Sequence, residues 1–167
     1  MFVLGIDPGL TRCGYGCIES TGVGKARAVA LGVIRTPTDA DLPTRLHQLR
    51  NELRELIAEY RPDAVAVERV FFQVNVRTAM SVGQASGIAL VEALDAGCEV
   101  AQYSPNQVKD AIAGYGGADK AQVQRMVQLR LGLPTPPKPA DAADAAALAL
   151  CHLAVSPMTR RVAGVRR

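Results

Sequence analysis

Apolar residues in this chain first bunch, then recur every third or fourth position, and the two patterns alternate towards the C-terminus. Phe2–Asp7 reads FVLGID and is stopped by Pro8-Gly9, which predicts a buried strand ending in a turn. Two more runs, Gly14–Glu19 and Ala26–Ile34, flank the glycines at 22 and 24 and predict an antiparallel meander. Leu46, Leu49, Leu53, Leu56 and Tyr60 then fall on one helical face. They predict an amphipathic helix over Leu42–Tyr60, capped by Asp41, with Pro43 in its first turn and Pro62 beyond its end.

The second half switches period repeatedly. Ala64–Val67 predicts a buried strand closing on Glu68, and Cys98–Tyr103 a further parallel strand. Between them, Val76–Ala96 predicts a helix with Ala79, Gly83, Gly87 and Leu90 at helical spacing. Glycine costs about 1 kcal/mol in a helix interior, so two of them one turn apart predict a face where another backbone comes close. Ser104-Pro105 opens another helix, Gly114, Gly116 and Gly117 make a loop, and Lys120–Leu131 predicts the next helix. The four prolines of Leu133–Ala140 make a rigid connector into an alanine-rich helix, Asp141–Val155. Three strands, then alternating helices and strands, predict an α/β fold with a mixed five-stranded sheet and helices on both faces.

Length and composition narrow this picture. A chain of 167 residues supports one well-filled core, expected over residues 1–155, with residues 156–167 as a basic and flexible tail. Trp is absent and aromatics make up 4%, so the core is built from Ala, Val, Leu and Ile. No run approaches the ~18 apolar residues of a membrane span, and MFVLGIDPG carries no basic leader. A cytoplasmic protein without a membrane partner is expected. Cys13, Cys17, Cys98 and Cys151 are scattered without a CxxC pair, which favours buried free thiols over a zinc or disulfide framework. The net charge of +3 resides in Arg160, Arg161, Arg166 and Arg167; the remainder has 15 basic residues against 16 acidic ones.

The chemistry lies in the acids. Asp7 and Glu68 each end an otherwise apolar strand, VLGID and AVAVE, at the strand ends where open sheets bind ligands. Either alone is as readily an ordinary polar strand end. Asp141 and Asp144, at i and i+3, share one face of the last helix's first turn. Taken alone, that pair is better explained by helix capping and the helix dipole. However, the rest of that helix is apolar all round, so its start abuts something. Four acids gathered there would repel one another unless cations bound. All-oxygen ligands suit Mg²⁺, with Mn²⁺ as substitute, two ions per site being the usual apparatus for phosphodiester cleavage. Asp7, on the central strand, is the expected bridge between them.

Other candidates are weaker. Lys120, after the GYGGAD loop, and Lys109 could offset phosphate charge, although most such lysines face solvent. Phe71 and Phe72 sit in the expected loop FFQVNVR, where one could stack on a base or simply pack. Arg77 follows in the same stretch and is expected to contact DNA. His152 is expected as a hydrogen-bonded core residue and His47 as solvent-facing.

The segments GIDPGLTRCGYG, VAVERVFFQVNVRTAMSVGQASGIAL, YSPNQVKDAIAGYGGADKAQVQRMV and PADAADAAALAL together resemble, in order, the RuvC family of Holliday-junction resolvases. The resemblance spans about residues 1–155. It implies a ribonuclease H-like fold, with the family's acids at Asp7, Glu68, Asp141 and Asp144. Site lysines then fall at Lys109 and Lys120, and a base-contacting phenylalanine at Phe71. It further implies a Mg²⁺-dependent homodimer that nicks two opposed strands of four-way junction DNA, partnered by the branch-migration proteins RuvA and RuvB. Two departures stand out: Asp141 occupies a position where some relatives carry His, and Ser86 one where an arginine is common.

Three rivals remain at this level. A sugar kinase or actin-like ATPase also opens with GIDPG, but needs two such domains and a second phosphate loop. A non-cleaving junction binder would gain by losing acids near phosphate. Another nuclease of the same fold, acting on different branched nucleic acids, is not excluded by composition.

Overall fold

In the computed structural model the described residues are 1–70 and 76–164, with side chains described for all of these except 76–77 and 157–164. The elements run β1 (Phe2–Asp7), β2 (Arg12–Gly22), β3 (Lys25–Arg35), α1 (Leu42–Tyr60), β4 (Ala64–Glu68), α2 (Val76–Asp95), β5 (Glu99–Tyr103), α3 (Pro105–Ala113), α4 (Lys120–Leu131) and α5 (Ala140–Gly164). One five-stranded sheet takes the order β3-β2-β1-β4-β5. β1, β2 and β3 form the antiparallel meander, while β4 and β5 pair parallel to β1 and to each other.

Helices cover both faces, as the alternation demands. Val3, Ile18, Ala64 and Ala66 pack with residues of α3, α4 and α5. The neighbouring positions Leu4, Ile6, Cys17, Val65 and Val67 pack with α1 and α2. Strand side chains point alternately to the two sides, so each central strand serves two cores and must be apolar throughout. The cysteines are free, with Cys13, Cys17 and Cys151 buried.

Helix ends follow local chemistry. Asp41 caps α1 by accepting from the Thr44 amide at 3.1 Å. Ser104 and Asp119 cap α3 and α4 through reciprocal capping boxes with Gln107 and Gln122. On the far side of the sheet, α1 and α2 are pinned by Glu92, which is 4% exposed and accepts from Arg50 Nε at 2.6 Å and Arg54 Nε at 2.8 Å. The last helix extends to Gly164, nine residues beyond the expected end at Val155. Pro157 lies within this extension, where a proline removes one backbone N–H from the helix.

A Cβ added at Gly83 or Gly87 would meet nothing within 4 Å, so among the described residues the α2 glycines face outward and approach no backbone of their own chain, which rules out a core contact there and leaves one with another chain. The close approach lies instead in the strands. A Cβ at Gly5 would lie 1.9 Å from the carbonyl oxygen of Ala145, one at Gly14 2.1 Å from that of Asp141, and one at Gly16 2.9 Å from the Ala146 nitrogen. Gly5 and Gly16 are register partners, and Gly14 pairs with Asp7. These glycines open a furrow across β1 and β2, and α5 lies in it backbone against backbone.

Gly5→Ala should therefore cost about 1–3 kcal/mol or more through overpacking, lowering Tm by several degrees. Gly83→Ala should hold or raise Tm, because the site is open and alanine is the better helix former. Thermal melts of the two variants check the assignment; equal destabilisation would refute the furrow.

Candidate metal and nucleic-acid site

The furrow fixes the site. Parallel pairing sets Ile6 beside Val67, so the next residues, Asp7 and Glu68, leave the sheet side by side at the strand ends. Gly14, level with Asp7, admits the backbone of Asp141 from above. The first turn of α5 thus brings Asp141 and Asp144 over the same edge. Asp7, Glu68 and Asp144 line a cleft of about 450 Å³ together with Lys109 from α3 and Lys120 from α4. Larger hollows lie near Arg54 and Arg61, and at the β2–β3 turn, but the first is lined by only two acids, Glu92 and Asp95, and the second by none.

Electrostatics mark this cleft as short of positive charge. The Asp7 carboxyl is pushed up to about 8, first by burial, then by Glu68 and Asp144, with which it competes for charge, and by a hydrogen bond to Glu68. Burial raises Glu68 as well, partly offset by its bond to Asp7. Burial and mutual repulsion thus disfavour ionising both members of the pair, as expected of close carboxylates without a cation. Two basic residues supply partial compensation. Lys120 Nζ donates to Asp144 Oδ2 at 2.6 Å, a bond that holds the ammonium above its usual range. Arg12 donates through Nε at 2.9 Å and Nη2 at 2.5 Å to Oδ2 of Asp141.

These bonds decide what Asp141 does. It lies inside the first turn of α5, and its carboxylate is turned to Arg12 rather than back to helix amides. Helix capping, the plainer explanation from sequence, does not describe it. Among the described residues no three Asp, Glu, His or Cys side chains stand ready to ligate one ion as placed. The donor chemistry fits a hard divalent cation. For such an ion, Asp141 and Asp144 would offer Oδ1, and use of Oδ2 would compete with their bonds to Arg12 and Lys120.

The remaining candidates divide. Lys109 joins the cleft. Phe71 lies outside the described residues, and Arg77 is the second residue of α2, without a described side chain. His152 is a buried core residue whose Nδ1 lies 2.9 Å from the Tyr103 hydroxyl, and exposed His47 bonds to Asn51. Sequence reasoning missed Arg12. It is a lone arginine beside a turn, and no spacing rule links it to an acid 129 positions away.

Comparison with known proteins agrees with this geometry. The family model described as crossover junction endodeoxyribonuclease RuvC matches residues 3–152. The chain is similar to proteins of that name from Roseiflexus sp., 52% identical and covering 95% of this chain and 94% of that one, and from Salinispora arenicola, 54% identical and covering 92% and 87%. The structure of Thermus thermophilus RuvC in complex with Holliday junction substrate superposes with TM-score 0.90 at 41% identity, covering 95% of this chain and 96% of that one. The yeast mitochondrial Holliday junction resolvase Ydc2 shares the fold, with TM-score 0.68 at 15% identity. The fold is thus ribonuclease H-like, as expected.

A carboxyl raised in the folded state binds a proton that the unfolded chain releases above pH ~4, so it costs stability as pH rises from there to about 8. Asp7→Asn removes that cost. In chelator at pH 8 the variant should melt several degrees above wild type, at ~2–4 °C per kcal/mol for this size, with the gap closing towards pH 4. A gap that widens as pH falls would refute the burial of Asp7.

Proposed function

This chain belongs to the RuvC family of crossover junction endodeoxyribonucleases, and from that premise we propose that it resolves four-way DNA junctions by paired symmetric nicks, with its four carboxylates as a two-ion metal site. The observation that carries this reading is the cleft itself. Asp7 and Glu68 leave adjacent parallel strands, the first turn of α5 meets them through the glycine furrow, and Lys109 and Lys120 line the same hollow.

Asp7, Glu68, Asp141 and Asp144 would hold two Mg²⁺, or Mn²⁺ in their place, with Asp7 between them. Bound there, the ions supply an activated water and charge neutralisation at the departing 3′ oxygen. The chain's own groups do the rest. Burial of Asp7 and Glu68 keeps bulk water from solvating their charge, so these two carboxyls would favour a bound cation over standing ionised side by side. Lys120, freed from Asp144, offsets charge gathering on the scissile phosphate, and Lys109 steadies the strand across the cleft. Phe71, shortly after the Glu68 strand, and Arg77, at the start of α2, are assigned to the junction's bases and backbone. RuvA and RuvB are the partners this reading carries, acting in the cytoplasm.

A junction with approximate two-fold symmetry calls for two sites related the same way. We assign the homodimer contact to the outer face of α2. Met80 is 60%, Val91 56% and Leu94 69% exposed, and with Gly83 and Gly87 they fall on one helical stripe that none of the described residues covers.

The test is a synthetic mobile four-way junction with Mg²⁺. Wild type should give paired symmetric nicks, and Asp7→Asn should lose ~10²-fold or more in rate, the equivalent of about 2.7 kcal/mol. Equal rates would overturn the metal site. For the dimer, Gly87→Glu should shift the protein to a monomer in sedimentation without lowering Tm, and single nicks should replace paired ones. A Gly87→Glu protein that remains a dimer would refute the α2 contact.

A further inference from the structure

No local pattern singles Arg12 out, yet its surroundings in the fold give it a specific partner. Both of its bonds converge on one oxygen, Oδ2 of Asp141, at 2.9 Å and 2.5 Å. Arg12 and Asp141 are each partly exposed, at 39% and 29%, so the pair sits at the rim of the cleft where water, ions and DNA all reach it. It opens β2 opposite Arg35. Close by, Arg45 donates to Thr11 Oγ1 at 2.7 Å and to Thr36 Oγ1 at 3.0 Å. Three arginines thus mark the corner of the sheet on the Asp141 side, while Lys109 and Lys120 line the cleft on the other.

Resting on the metal-site reading above, we propose that Arg12 is a resident counter-ion for Asp141 that competes with the divalent cation and moves to a DNA phosphate when that cation binds. The reasoning is one of exclusion. An oxygen that already accepts two guanidinium N–H groups has no free lone pair directed at a metal. Occupation of Asp141 Oδ2 by a cation therefore displaces Arg12. Once displaced, a permanently charged fork is left beside the cation and near Arg35 and Arg45. That arrangement is unfavourable unless an anion enters. A phosphodiester is planar enough at its two free oxygens to accept the fork bidentately. Metal at Asp141 and DNA at the corner then favour each other, and by linkage the effect is reciprocal.

A merely structural Arg12, holding the start of α5, would weaken everything when removed. Competition predicts opposite signs for two measurements. In Arg12→Gln, Mn²⁺ titrated into the DNA-free protein by calorimetry should bind about 2–10-fold tighter than to wild type, the range for a partly exposed charge-assisted pair. On four-way junction DNA the same variant should show KM raised several-fold, with kcat changed less. Arg12→Lys, which keeps the charge but loses the fork, should fall between the two and guards against loss of folding in the glutamine variant. Mn²⁺ binding that is unchanged or weaker in both variants, with wild-type melting, would overturn the competition. Tighter Mn²⁺ binding with an unchanged KM would overturn the phosphate role. An Asp7→Asn control separates the premise: if it too binds Mn²⁺ like wild type, the metal-site reading has failed rather than the part given to Arg12.

Discussion

Everything at this site depends on a helix backbone lying directly on a sheet. Residues with side chains would hold α5 away from β1 and β2, and the ordinary spacing of a helix over a sheet would leave Asp141 and Asp144 well above the strand ends. Gly5, Gly14 and Gly16 remove that spacing from below. Ala142, Ala143, Ala145, Ala146, Ala147 and Ala149 remove it from the helix side, each at most 1% exposed. Apolar burial per residue is small for alanine, so the stability of this contact comes from close packing over its whole length rather than from large side chains. The helix had to be alanine-rich for the carboxylates at its start to reach Asp7.

Close approach creates an electrostatic cost that the fold leaves in place. Asp7 and Glu68, buried side by side, resist being ionised together, and burial with its acidic neighbours pushes the Asp7 carboxyl up to about 8. A protein selected for stability alone would carry amides there. The chain instead ties two of the acids to Lys120 and Arg12, which keeps the cleft from unravelling without filling the coordination positions with apolar groups. Preorganised charge of this kind is available for a ligand that brings its own positive charge.

The strands, the helices and the four acids were legible because their signals are local or periodic. The bounds of α1 and α4 follow the sequence reading to the residue, since Asp41 and Asp119 act as caps whose partners are three positions away. The pairing of Asp7 with Glu68 followed from two apolar runs ending in acids. What could not be read was anything set by contact between distant segments. Glycine in a strand and glycine in a helix carry the same letter, so nothing in the sequence distinguished Gly83 and Gly87, which face open space, from Gly5, Gly14 and Gly16, which meet α5. The role of Asp141 was open for the same reason. Its partner is Arg12, and only the furrow brings them together.

The two faces of the sheet also divide the work. The α5 face is packed backbone to backbone and holds the acids in fixed register. The opposite face carries α1 and α2, joined through Glu92 with Arg50 and Arg54, and its outer stripe of Met80, Val91 and Leu94 stays uncovered. A contact made through α2 would reach the acids only through the central strands β1 and β4. Those strands are apolar on both sides and bonded on both edges, which ties them to a neighbour on every side. Two sites joined through such elements would be held at a fixed separation, and a fixed separation is what allows an enzyme to select a branched substrate by its shape rather than by its sequence.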